Sequence, residues 1–385
     1  MATQSILDFF SGPVLTELAQ TMEVKRGIPK LNVPGLYKPS SNKSGIHNVK
    51  FKRFKGSRRV SPVVHQQSAS PTVEVPGSEW VFGRALGTKQ NFAIDYEMLQ
   101  ALNSGIPYIT QNAQNEFKKR LEDFYVATED FRTAAINMMA LTGTIYINRP
   151  TTGFGTGLTA EGGQLLPAAN ATAATESIIV GGSSAANTFS TGSTYTNTSA
   201  TVGDWSSAST DIPLSLRSLR EGFMKTSNYN PTTILYGKNI PSYMANNTAM
   251  QTFMSRNQIV GAQYMKSNEM PEGLLDFNWV PAYNAYWKDY TYTLNTILDP
   301  DTFVVIPEIE ENWYELVEVG TLIPTGTPSI ATDVEGALAN VRPAFGRFSY
   351  ANLQSMDPVS LKVIAGDYFY PAIKTNLLQW IVKVK

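Results

Sequence analysis

Five glutamates stand within eleven residues, Glu308, Glu310, Glu311, Glu315 and Glu318, with Trp313 and Tyr314 among them. Two carboxylates on either side of a glycosidic bond are the machinery of glycoside hydrolysis, one as acid and one as base or nucleophile. The adjoining rings are of a kind that stacks on sugars. Calcium would want more oxygen ligands at tighter spacing than this run supplies. The same run reads as a solvated strand edge, or as a docking surface for a basic arm.

A second pattern interleaves cations with rings: Lys50-Phe51-Lys52-Arg53-Phe54-Lys55, followed by Arg58 and Arg59. Single-strand nucleic-acid binders combine these residue types. On a strand, alternation puts Lys50, Lys52 and Phe54 on one face and Phe51, Arg53 and Lys55 on the other, so neither face is purely basic. Contact with protein carboxylates fits better than base readout. The candidate inter-subunit contacts are therefore Lys50, Lys52, Arg53, Lys55, Arg58, Arg59 and Trp80, with Glu308, Glu310 and Glu311 as acidic counterparts.

Other chemistry finds little support. Gly155-x-Gly157-x-x-Ala160 fits a dinucleotide fingerprint, but Gly162, Gly163 and Pro167 interrupt the helix that would face the pyrophosphate. The chain has no cysteine, which excludes disulfides, zinc–thiolate sites and thiol catalysis. Its two histidines, His47 and His65, have no carboxylate near them in sequence. No catalytic, cofactor-binding or metal residue is assigned, and no cofactor is expected.

The charges are unevenly placed. Residues 24–73 contain no Asp or Glu. Residues 1–73 hold eleven basic and three acidic residues, a net +8, and the remainder holds 20 basic and 29 acidic, a net −9. A cationic front and an anionic body suit copies that bind head to body, and also raise nucleic acid and membrane as partners. Charged residues make up 16% of the 385, below the usual ~25%. That favours a surface largely covered by neighbours. Asp8 interrupts the first apolar run and no basic region precedes it, so no signal peptide is read. No stretch approaches the ~20 apolar residues of a membrane span. The expectation is a protein made and kept in a cytoplasm.

The elements that must position these residues follow from periodicity and punctuation. Residues 3–22 predict a short amphipathic helix with Pro13 as a weak point. Residues 25–50 read as an extended arm with little to bury, ordered only against a partner. Residues 49–94 predict a long two-stranded excursion around Pro76-Gly77. Residues 112–142 predict a long helix, capped by Thr110 or Asn112 and stopped by Gly143, running into a strand at 144–147. Residues 151–208 are rich in Gly, Ser, Thr, Ala and Asn, with strand islands such as Ser177–Val180. A mixed α/β region follows: helices near 214–226 and 240–256, and strands at 232–236, 302–306 and 315–323. Strands close the chain.

This order resembles the major capsid proteins of tailed bacteriophages, the Hong Kong 97 fold, and within them the lambda "protein E" type. Val60-Ser-Pro-Val-Val64 resembles the start of the family's extended loop. Met138-Met-Ala-Leu-Thr-Gly143 running into Thr-Ile-Tyr-Ile147 resembles its spine helix and peripheral-domain strand. Asp204-Trp-Ser206 before a helix, then Thr233-Ile-Leu-Tyr-Gly237 and a helix with Phe253, resembles entry to the axial domain. Asp357-Pro358, with Pro371 before the last strand, resembles the closing segment.

The resemblance implies an α+β fold: N-terminal helix and basic arm (1–48), extended β loop (49–95), peripheral domain (96–208) with spine helix 112–142 and excursion 151–208, axial domain (209–345), and C-terminal strands returning to the peripheral domain (346–385). It implies a structural protein rather than an enzyme. Pentamers and hexamers would tile an icosahedral shell around double-stranded DNA, in the host cytoplasm during assembly and then in the virion. Arm and loop would reach over neighbours. A scaffolding protein, a portal and a decoration protein are the implied partners, and no membrane. The alternatives are an encapsulin-like compartment shell, another virion or tail protein, and a carbohydrate-active enzyme.

Overall fold

Pro107 opens the longest helix and Gly143 closes it. The computed structural model describes residues 10–21, 27–45, 48–54, 78–104, 106–148, 164–166, 176–179, 203–227, 229–256, 270, 273–288, 294–309, 314–325, 341–356, 359–374 and 379–385.

The first described element is α1 (Gly12–Thr21). Pro13 falls in its first turn, where a missing N–H costs nothing, rather than in its middle. Thr16 Oγ1 donates to the Ser349 carbonyl at 2.7 Å, fixing the helix on the sheet. Turns through residues 27–38 lead to β1 (Pro39–Ser44). This arm differs from the expectation. Ile28, Leu31, Val33 and Leu36 are buried in the chain's own main core. Their spacing follows no helix or strand period, so only the turns reveal that they share a face.

β2 (Asn48–Phe54) pairs antiparallel with β3 (Ser78–Arg84), and Ala85 leads into β4 (Leu86–Ile94). After α2 (Tyr96–Leu102) comes α3 (Pro107–Thr142), 36 residues and ~54 Å long. It starts five residues before the expected 112, because Pro107 sits where its fixed φ preorganises the first turn. Ile106 occupies the N-cap position, not Thr110 or Asn112. Gly143 adopts φ 70° at the C-cap, and its N–H reaches the Met139 carbonyl. The buried stripe Ala113, Phe117, Leu121, Tyr125 and Thr128 serves the first half, while Arg132–Leu141 is buried on every side.

β5 (Thr144–Asn148) is flanked by β6 (Gln164–Leu166) and β7 (Glu176–Ile179). Then come α4 (Ile212–Ser227), β8 (Pro231–Tyr236), α5 (Ile240–Asn246) and α6 (Thr248–Arg256). The helix expected at 240–256 is thus two. Asn247 breaks it: its Oδ1 accepts from Met250 N at 3.0 Å and its Nδ2 donates to the Thr210 carbonyl at 2.6 Å. β9 (Asn278–Pro281), the small ladder β10 (Tyr286–Lys288) and β11 (Leu294–Thr296), and β12 (Thr302–Pro307) complete this unit.

Finally come β13 (Tyr314–Pro324), β14 (Val341–Met356), β15 (Val359–Ile373) and β16 (Trp380–Lys383). One five-stranded sheet runs β1-β13-β14-β15-β4, packed under α3. A four-stranded sheet runs β16-β12-β8-β9 and holds a second core around Trp205, Phe223, Phe303 and Trp380. Of the C-terminal strands, β14 and β15 join the sheet under the long helix, but β16 does not return there. It pairs with β12, since Trp380, Val382 and Val384 fill the second core.

Candidate interaction surfaces

The cationic segment folds into the hairpin β2–β3, whose two faces differ. Val49 and Phe51 are buried, and the Phe51 ring lies 5.8 Å from that of Tyr370 on β15. The opposite face carries Lys50 and Lys52, with Phe82 and Trp80 as their cross-strand partners. Trp80 is 58% and Phe82 68% exposed. The Lys50 ammonium sits 4.3 Å from the Trp80 ring centroid and 5.5 Å from that of Phe82. A cation between two rings gains up to ~1 kcal/mol at an exposed site. Arg53 pairs in register with Glu79. Lys55, Arg58 and Arg59 lie outside the described residues, as do His47, His65, the loop start 60–64 and the Gly155–Ala160 pattern.

The hairpin root is tight. A Cβ on Gly83 would stand 2.1 Å from Cζ of Tyr370, which is itself buried, so glycine is required for the ring to lie across β3.

The acidic run is divided by the fold. Glu308 is exposed after β12, and Glu310, Glu311 and Trp313 lie outside the described residues. Glu315 and Glu318, on β13, face the arm. Ser40 and Asn42 both donate to Glu315 Oε1, and Lys374 Nζ lies 2.7 Å from Oε2. Burial pushes the Glu315 carboxyl up, but these donors outweigh it and hold the group below the ordinary carboxylate range. For Glu318 the balance is reversed. Burial, helped by the charge of Asp367, pushes it up against the pull of Arg132 and Lys43.

The arm is fastened along this line. Lys43 Nζ is 3.9 Å from Glu318, Lys30 Nζ is 2.5 Å from Glu129 on α3, and the Ile28 N–H donates to Asp130 Oδ1 at 2.6 Å. Glu129 also binds Arg347, while Arg132 reaches Asp367 at 3.0 Å and Glu318 at 3.8 Å. Burial, then the nearby Arg347 and Arg132, holds the Lys30 ammonium below its ordinary value. Of the five glutamates, the two nearest the strand core therefore receive the chain's own arm. Glu129 and Asp130 on α3 also serve it.

A third exposed patch was not read from the sequence. At the junction of α2 and α3, Tyr96, Ile106, Tyr108 and Ile109 are all exposed, Tyr108 at 74%. Its signal is that Ile109 and Ile106, four and seven residues before Ala113, carry the apolar stripe past the end of the buried part, with Tyr108 beside it.

Among the described residues, no group of three or more His, Asp or Glu is arranged to hold a metal, and no helix is long and apolar enough to cross a membrane. No family model matches the chain, and no curated protein matches it. Solved structures do. A phage-related protein from Bordetella bronchiseptica RB50 aligns over 97% of each chain at 9% identity and a TM-score of 0.43. A structure from Mycobacterium phage Che8 aligns over 94% of each at 11% identity and a TM-score of 0.40. The capsid of Myoviridae phage XM1 aligns over 94% of this chain and 95% of its own at 7% identity and a TM-score of 0.38.

Proposed function

We propose that this chain is the major capsid protein of a tailed bacteriophage. Copies tile an icosahedral shell as pentamers and hexamers and enclose double-stranded DNA. Its role is structural. It assembles in the host cytoplasm with a scaffolding protein and a portal, with a decoration protein as a further partner, and remains in the virion.

The observation that carries this reading is the hairpin face on which Trp80 and Phe82 stand exposed around Lys50. Exposed aromatic groups with cations at their edge are characteristic of protein contacts, where such residues dominate the binding energy. The order of elements supports it: arm, hairpin, long helix, α/β unit and returning strands. On this reading the hairpin β2–β3 forms the loop that reaches a neighbour, while β4 and β13, expected in the loop (49–95) and the axial domain (209–345), join β1, β14 and β15 in the sheet under α3 as part of the peripheral domain, and residues 212–307 with β16 form the axial domain. Residues 27–44 lie on their own body, which leaves the reaching role to the hairpin.

Electron microscopy of the purified protein, with size exclusion at low and high salt, tests this. Closed shells, or rings of five and six, are expected. Reversing Lys50, Lys52, Arg53, Lys55, Arg58 and Arg59 to Glu is expected to block assembly and leave the subunit folded. A chain that stays monomeric with its scaffold present refutes the proposal.

A further inference from the structure

The hairpin face and the α2–α3 junction are both exposed, both aromatic and opposite in charge. The hairpin face presents Lys50, Lys52 and Arg84 around Trp80 and Phe82, all exposed. The junction presents Asp95 and Glu97 around Tyr96, Ile106, Tyr108 and Ile109. Asp95 and Glu97 are the only charged residues between 95 and 115. Asp95 stands at the N-cap of α2, yet its carboxylate makes no capping bond and is left to face outward.

The two patches lie beyond opposite ends of β4. Its nine residues span ~30 Å, so on one chain the patches are far apart. A contact between them needs a second copy. Because the patches differ, that contact is head to tail, the kind that builds rings where its rotation closes and filaments where it does not.

We infer that the Trp80–Phe82 face of one copy docks on the Tyr96–Tyr108 junction of the next copy. This rests on the shell reading and names the surface that receives the hairpin. Nucleic acid is the weaker occupant. Lys50 lies against the Trp80 and Phe82 rings, where a base would stack, and a packaged duplex offers no free base faces.

The absence of native cysteine makes the test clean. Chains carrying Trp80→Cys or Phe82→Cys are co-assembled with differently tagged chains carrying Tyr96→Cys, Ile106→Cys or Tyr108→Cys, and treated with a short bis-maleimide. A cross-linked heterodimer is expected, with no dimer from either partner alone. A second experiment reverses charge. Asp95→Lys with Glu97→Lys is expected to raise the protein concentration needed for assembly by about tenfold, the loss of ~1.4 kcal/mol per contact with one such contact per chain. Adding Lys50→Glu, Lys52→Glu and Arg84→Glu to the same chain is expected to restore it.

Normal particles that give no such cross-link and tolerate the junction reversal overturn this pairing and leave the shell reading intact. A wild-type chain that never assembles removes both. Quenching of tryptophan fluorescence by poly-dT in the wild type but not in Trp80→Phe, without cross-links, assigns the face to nucleic acid and also overturns the pairing.

Discussion

Arg132 Nη1 on the long helix lies 3.0 Å from Asp367 Oδ2 on the strand beneath it, and both side chains are buried. The guanidinium also packs 5.4 Å from the Phe369 ring centroid. The pair joins helix to sheet at the point where the arm's network begins.

Arg132→Met leaves a buried carboxylate without its partner and is expected to lower stability by ~3–5 kcal/mol. Asp367→Leu alone is expected to be similarly harmful, and the double variant less harmful than the sum of the two. Urea denaturation of the four chains checks this. Additive losses would mean that the pair is not coupled.

The arm is held more by apolar burial than by charge. Lys30 and Lys43 are about half exposed, and exposed ion pairs contribute ~0–1 kcal/mol. Leu36 is fully buried, and such Leu→Ala changes cost ~2–5 kcal/mol. Hydrogen exchange of residues 27–44 is therefore expected to accelerate more in Leu36→Ala than in the double variant Lys30→Ala, Lys43→Ala. The opposite ranking would make the latch electrostatic.

Acid acts on β13 in two opposed ways. Glu315 is held below its ordinary 4.5, so its contribution is complete above that pH and is lost as pH falls further. Glu318 is raised above 4.5, so its protonation on acidification favours the folded state while Lys43 loses its partner. Glu315→Gln is expected to flatten the loss of stability below about pH 4.5, and Glu318→Gln to flatten the dependence above it. Melting temperature against pH separates the two.

Gly83→Ala drives a methyl group into the buried Tyr370 ring and is expected to cost ~1–3 kcal/mol by overpacking. The hairpin amides of β2 are expected to exchange faster. Unchanged exchange would show that the ring moves aside freely.

Much of this was legible in the chain. The amphipathic stripe from Phe117, the stop at Gly143, the strands expected at 144–147, 302–306 and 315–323 and found one residue longer at one or both ends, and the alternation that turns Lys50 and Lys52 away from Phe51 all follow from local periodicity. So do the division of charge and the exclusion of thiol chemistry. These properties depend on a residue and its near neighbours in sequence, which is why one strand or helix period suffices to find them. The burial of Ile28 and Leu36, the choice of Glu129 and Glu318 as partners for Lys30 and Lys43, the pairing of β16 with β12, and the exposure of Tyr108 depend on which distant surfaces meet. Lys30 and Glu129 are 99 positions apart, and no local pattern encodes that separation. Burial and Coulomb attraction act through space, so only the tertiary structure decides which part of the cationic front rests on its own body and which stays exposed.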